Sequence, residues 1–526
     1  MIGRQSIIGV IAVAVFATLF LRQAPPPQHR EYIRGQNNTA LFIVAEHHGF
    51  SNVHLATSQS LLERYPGIQL HFASFTDIAE KVSRLSALAK KRQPQAQDIT
   101  FHSILKGRSY VRALVESIDN LYQPDGQMSV VAPPGLKGLK QLVKIAAASF
   151  APWSPEEHLA IHDELSAIID EVDPAVVVLD TVFNPGIEAT RGKNRLHAFI
   201  TPNTLIDNFP DVQPYGKMLW KYPALGSGFS YPVPWYQIPM NIYLNAKIIY
   251  TILTLNNLKP IRKFLAENGV IDPVNFYGLH RPDVPWLTQT MPAASVPVDV
   301  VPQNVTCTGP IVLSPASAES IDPELVQWLR PKPTILVNLG SAFRWGIGQT
   351  EGMIATIGKL LDTSDYQILW KYSISPHVET VFDWQQAVKP LVDTGRVRVS
   401  TWLTVDPPAL LQSGFISAFV THGGANGYHE ALEAGVPTVV LPMWVDLFNF
   451  AQLTEQIGVG VWACRDTSPR FDSDCLHKAI MRVADGGPES LAMRSRAKMF
   501  SDEARKTPGR DVAADLISKM ATLQSL

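Results

Sequence analysis

The run Val420-Thr421-His422-Gly423-Gly424-Ala425-Asn426-Gly427-Tyr428-His429-Glu430 carries residue types suited to a nucleotide diphosphate. An apolar strand is expected to stop at Thr421. Two glycines then remove Cβ atoms that would block a ligand, and a helix is expected near Ala425 with its first N–H groups unpaired. Such a helix end binds phosphate. His422 can donate to a diphosphate oxygen, Asn426 can add a donor, and Glu430 can accept from two neighbouring ribose hydroxyls. Gly-Gly before a helix is a weak signal alone. Here the turn Gly435-Val436-Pro437, a strand ending at Leu441-Pro442 and Asp446 opening another helix follow it, and together they are specific.

The span from Trp402 to Trp462 resembles the donor-binding signature of family 1 UDP-glycosyltransferases, which runs Trp, a leucine-rich stretch, Thr-His-x-Gly-x-Asn, Glu, Gly-Val-Pro, Pro and Asp-Gln. The resemblance implies the α/β fold called GT-B: two Rossmann-like, doubly wound parallel-sheet domains facing a cleft, the first for the acceptor and the second for the nucleotide. It implies that Trp402 stacks on uracil, that His422 and the backbone from Gly424 through Asn426 to Gly427 hold the diphosphate, that Glu430 holds the ribose and that Asp446 reads sugar hydroxyls. Ser341 matches the family's Gly-Ser loop, which also touches phosphate. The implied reaction is inverting transfer of a hexose or pentose from a UDP-sugar to a hydroxyl, the UDP-sugar being a co-substrate and no cofactor or metal being needed. The chain departs from the pattern in places. Thr404 and Val405 stand where the family has Pro-Gln, two extra residues separate Trp402 from His422, Gly427 replaces a Ser, and Leu447 replaces the Gln beside Asp446. The sugar therefore need not be glucose.

In the family a His after the first strand deprotonates the acceptor and an Asp after a later strand orients it. Asp180, in Val-Val-Leu-Asp-Thr-Val-Phe, matches the Asp. Ungapped alignment puts Phe50 at the His position, with His47 and His48 just before it and His54 four residues after. A small gap beside Gly49 brings His48 to the site as base; otherwise His48 is a solvated loop histidine.

Elements able to position these residues recur along the chain. Ala40–Ala45 reads as a buried parallel strand, followed by a helical pattern from Val53 to Tyr65 and a second strand over Ile68–Ala73. Ala175–Leu179 before Asp180 and His197–Thr201 continue the first half. Thr334–Leu339, Gln367–Trp370, Val397–Val399, Phe415–Val420 and Thr438–Leu441 repeat the rhythm in the second. Alternation of this kind predicts two open parallel sheets with ligands at the strand C-terminal ends. The expected domains are 25–305 for the acceptor and 306–526 for the donor, with a proline-rich boundary between Met291 and Pro333. Residues 1–24 read as a membrane anchor or uncleaved signal: Ile7–Leu21 carries no charge and is bounded by Arg4 and Arg22. A single-pass protein of the endoplasmic reticulum is expected, its orientation left open by arginines on both sides. Sequons at Asn37 and Asn304 would be used only in a lumen.

Pro232–Leu255 is aromatic and apolar, with Lys247 its one charge. It reads as a wall of a greasy acceptor pocket, a membrane-surface patch or a core helix. With the anchor, it suggests a lipophilic acceptor such as a terpenoid, polyketide, sterol or lipid. A formal charge of -2 gives no electrostatic footprint for nucleic acid. Cys307, Cys464 and Cys475 have neither CxxC spacing nor a His partner, so they read as buried small hydrophobes and not as a disulfide framework or zinc site. Asp472-Ser473-Asp474 reads as a helix N-cap and not a metal motif. Two other functions stay open: a transferase acting on a membrane lipid intermediate, and a non-catalytic nucleotide-binding relative, motivated by Phe50 and Leu447.

Overall fold

The structure, a computed structural model, describes residues 31–255, 258–275 and 278–522. The first sheet holds β1 (Gln36–Ile43), β2 (Gln69–Phe75), β3 (Thr100–Ile104), β4 (Pro174–Leu179), β5 (His197–Thr201), β6 (Trp286–Thr288) and β7 (Val305–Cys307), in the order 3-2-1-4-5-6-7. The second holds β8 (Thr334–Asn338), β9 (Gln367–Lys371), β10 (Val397–Ser400), β11 (Ile416–Thr421), β12 (Thr438–Val440) and β13 (Gly460–Trp462), in the order 10-9-8-11-12-13. The pairings of both sheets are parallel. Every residue of β4, Pro-Ala-Val-Val-Val-Leu, is buried, as a strand covered on both faces must be. The short strands β6, β7 and β13 have three residues each, too few for a hydrophobic period to register.

In each sheet the chain builds outward on one side, returns to the centre and builds outward on the other. The reversals fall between β1 and β4 and between β8 and β11. At such points an open parallel sheet leaves a crevice beyond its strand C-terminal ends. The residues just past those four strands include His47 and His48, Asp180, Gly340 and Ser341, and His422. Topology thus brings together positions that lie hundreds of residues apart.

Helices α1 (His48–Arg64) and α2 (Ala79–Arg92) follow β1 and β2. α3 (Ile238–Leu253) lies in the long β5–β6 connection, α4 (Ala425–Ala434) and α5 (Leu447–Gln456) follow β11 and β12, and α6 (Gly509–Ala521) is the last described. α1 begins five residues before the helix expected from Val53, because the His47 ring caps it: its Nδ1 accepts the Gly49 N–H at 3.1 Å. His48 is therefore in a helical turn and not in a solvated loop. α6 leaves the second sheet and packs on the first, burying Ala513, Ala514 and Ile517 with Phe42, Val176 and Val178. Asp515 there accepts from Arg64 at 2.9 Å and Tyr65 at 2.7 Å. The expected boundary at 305 falls at the start of β7, and α6 sits with the first sheet.

α3 turns a partly polar face inward. Asn241, Leu244, Asn245 and Ile248 are buried, and the Asn241 side chain holds the backbone of Leu219, Tyr222 and Ala224. Met240, Tyr243, Tyr250 and Leu253 are exposed. The expected anchor at 1–24 lies outside the described residues, among which no helix is long and apolar enough to cross a membrane. Cys464 and Cys475 are joined by a disulfide, which corrects their reading as separate small hydrophobes. Asp472 caps its helix by accepting the Cys475 N–H at 2.8 Å.

Candidate active site

On the second sheet, β11 ends at Thr421 and α4 starts at Ala425 with no side chain capping it. Its first N–H groups are open to an anion. Gly423 has φ +85°, and a Cβ there would lie 2.6 Å from Val440 Cγ1, so only glycine makes this turn. The His422 ring is held between two more glycines: a Cβ on Gly340 would come within 2.6 Å of it and one on Gly424 within 2.8 Å. Burial, then the Lys371 charge, lowers the His422 pKa to about 4. A neutral ring with Nδ1 buried and unpartnered leaves Nε2–H as the donor. Lys371, the last residue of β9, donates to the Gly340 carbonyl at 3.0 Å and lies 4.0 Å from the centre of the Trp402 ring. Trp402 is 55% exposed, so it has a free surface for stacking. Arg344 donates to the Ser341 carbonyl at 2.7 Å, adding positive charge beside that loop.

Two carboxyl groups complete this side. Burial raises Glu430 to about 7, against the pull of Lys81 and with a further push from Asp406 and Glu433. Asp446, which opens α5, is also raised to about 7, by burial and then by Asp207. Asp207 belongs to the first domain, just beyond β5, and its carboxylate accepts from the Thr204 N–H at 3.0 Å. The charge of Asp207 on the first domain thus reaches Asp446 on the second.

Across the cleft, His48 and Asp180 do not pair. Asp180 is fully buried: Oδ2 accepts from the Ala45 N–H at 2.7 Å, and Oδ1 from the N–H groups of Val182 at 2.8 Å and Phe183 at 2.7 Å. The imidazole it feels is His54, buried in α1, whose Nδ1 is 2.9 Å from the Phe50 carbonyl. The His48 ring instead lies 5.7 Å from the Trp402 ring. No hydrogen bond joins His48 to Asp180 among the described residues, so the expected dyad is corrected to two separate groups at one sheet edge. Burial, then Lys81, His47 and Lys371, lowers His48 to about 3, which leaves it neutral at physiological pH.

Residues 383–518 match the family described as erythromycin biosynthesis protein CIII-like, C-terminal domain. Glycosyltransferase sdnJ of Sordaria araneosa is 30% identical over 506 residues, which span 91% of this chain and 97% of that one. The chain belongs to the family 1 glycosyltransferases. A second relative, 2-hydroxyacylsphingosine 1-beta-galactosyltransferase of Mus musculus, is 23% identical over 274 residues, 52% of this chain and 45% of that one. The solved glycotransferase of kitacinnamycin shares the fold, with TM-score 0.58 and 17% identity over 92% of this chain and 100% of its own. The two parallel sheets are thus those of a GT-B enzyme.

Several features of this glycosyltransferase escape sequence reasoning. Where the family has Pro-Gln, Thr404 bonds Asp322 at 2.6 Å and Val405 is core, so neither offers an amide to a base. Leu447 is likewise buried. Lys371 had a usable signal: it ends a strand next to β8, on the edge where ligands bind. Lys81 and Asp207 come from the other domain and have no local signal. Among the described residues no group of three or more His, Cys, Asp or Glu is arranged to hold a metal.

The raised carboxyls give a pH expectation. If Glu430 accepts from ribose hydroxyls, as the resemblance implies, it does so fully only when ionised, and a group titrating near 7 loses about tenfold of its ionised form from pH 8 to pH 6. The dissociation constant of a UDP-sugar, read by calorimetry, should rise by about that factor over this range. In Glu430→Gln the slope should shrink. A flat wild-type profile would contradict Glu430 as the ribose acceptor.

Proposed function

We propose that this enzyme transfers a hexose or pentose from a UDP-sugar to a hydroxyl of a lipophilic small molecule, with inversion. The observation that carries the donor half is one sheet edge holding the uncapped end of α4, His422, Glu430 and Asp446. The acceptor oxygen attacks the anomeric carbon as its bond to the diphosphate oxygen breaks, UDP leaves, and the hydroxyl proton passes to a base. Charge on the leaving diphosphate is met by α4 N–H groups, His422 and Lys371. No metal or cofactor enters this scheme. With Leu447 apolar, hydroxyl recognition falls to Asp446 and, from the opposite domain, Asp207.

Lipophilicity is supported by apolar side chains of both domains, Val130, Leu142, Leu225, Leu244, Ile248 and Phe448, that meet at one place between them, where the free cavity of about 10 Å³ is too small to hold an acceptor as it stands. Leu244 and Ile248 are on α3, whose other face exposes Met240, Tyr243 and Tyr250 beside Trp235 and Tyr236, a composition suited to a lipid surface. A membrane lipid is an acceptor of the same kind. The uncharged run Ile7–Leu21, read as an anchor, and the Cys464–Cys475 disulfide support an endoplasmic-reticulum protein with its body in an oxidising lumen. There Asn37, which is exposed, is the better sequon. Asn304 already donates to the carbonyls of Arg281 and Val284.

His48 is the proposed base, neutral and at the cleft. A second reading follows from the charge influence of Asp207 on Asp446 across the cleft and makes Asp207 the base. Single-turnover rates with saturating donor separate them: His48→Ala should fall about 10²- to 10⁴-fold and Asp207→Asn much less. The reverse order would move the role to Asp207.

A further inference from the structure

Asn426 is the second residue of α4, in the turn facing the diphosphate site, and the family resemblance makes it a donor ligand. Its carboxamide is engaged elsewhere. Nδ2 donates to the carbonyl oxygens of His48 and Gly49, each at 3.1 Å, and Oδ1 accepts from Gln289 Nε2 at 3.3 Å. The neighbours fix its orientation, because turning the amide over would set Oδ1 against two carbonyl oxygens and Nδ2 against a donor. Gln289, fully buried just after β6, is a junction in its own right. Its Nε2 also donates to the Pro202 carbonyl at 3.0 Å, and its Oε1 accepts the Ile311 N–H at 2.7 Å. One buried amide therefore fastens the loop after β5 and the connection between the sheets. It passes a hydrogen bond to a second amide that grips the turn of His48.

We propose that Gln289 and Asn426 form a positioning relay that locks the His48-Gly49 turn of the first domain to the diphosphate-binding end of α4, so that the Asn426 carboxamide places the base. The part concerning the base rests on the function proposed above; the fastening does not. Buried carboxamides with partners on every side hold geometry well, since each lost bond leaves a donor or acceptor unsatisfied. A misplacement of about 1 Å at a reacting group costs about 10²-fold in rate.

The test uses the full chain. Asn426→Ala, at a half-buried position, and Gln289→Leu should each lower kcat by about 10- to 100-fold while KM for the UDP-sugar moves by less than about threefold. The double variant should be no worse than the poorer single one, because both cut the same chain of bonds. Without substrate, amide hydrogen exchange across residues 47–53 should quicken by about fivefold or more in Asn426→Ala. A tenfold rise in KM and in the UDP dissociation constant, with kcat and exchange unchanged, would overturn the proposal and return Asn426 to the donor. If wild type transfers no sugar, the proposed function fails, and the exchange measurement still decides the fastening.

Discussion

Replacing His422 with alanine is expected to lower kcat/KM for the UDP-sugar by about 10²- to 10³-fold, or about 3–4 kcal/mol of transition-state stabilisation. The ring is held in place by glycines at 340 and 424, whose missing Cβ atoms leave the only room for it, and it sits at the end of β11 where the α4 N–H groups converge. In the proposed reaction, negative charge grows on the diphosphate as the sugar bond breaks. A donor already fixed there helps more in the transition state than in the bound substrate, so kcat should fall as well as affinity. Steady-state kinetics beside a thermal melt would check this. A variant with unchanged kcat and only a raised KM would make His422 a binding group alone.

Asp180→Ala is expected to cost about 3–5 kcal/mol of stability, measured by denaturant unfolding. The carboxylate is fully buried and takes three backbone N–H groups, tying the start of the β1 loop to the turn after β4. Alanine would leave all three unpartnered. Asp180→Asn keeps one oxygen for Val182 and Phe183 and should lose less. Activity lost in Asp180→Ala would then report a collapsed sheet edge as much as chemistry. Wild-type stability with selectively lost kcat would instead restore a catalytic partnership with an imidazole.

The candidate donor side could be read from the sequence because it is local. One strand, one glycine turn and one helix carry His422, Gly424, Asn426 and Glu430 in consecutive turns, and Asp446 opens the next helix. The acceptor side depends on how α1 begins, and no spacing reveals that the His47 ring caps it and turns His48 toward Trp402. Asp180 was found for its position, but its partners are backbone amides, which sequence cannot show. Lys81 and Asp207 matter only once two domains face each other. The Cys464–Cys475 pairing arises because β13 and the helix beginning at Ser473 bring their Cα atoms to 5.7 Å; an interval of eleven residues carries no such message. Four strands fell below the reach of periodicity for want of length or apolar contrast, and their places in the sheets follow from the crossover rule.

The most direct measurement incubates the full-length enzyme with UDP-glucose, UDP-galactose, UDP-xylose and a panel of lipophilic alcohols. It follows UDP release against glycoside formed and reads anomeric configuration from the proton coupling constant. The expected result is one UDP per glycoside and a β-linked product from an α-linked donor. UDP-sugar binding without glycoside from any acceptor, or an α-linked product, would contradict it.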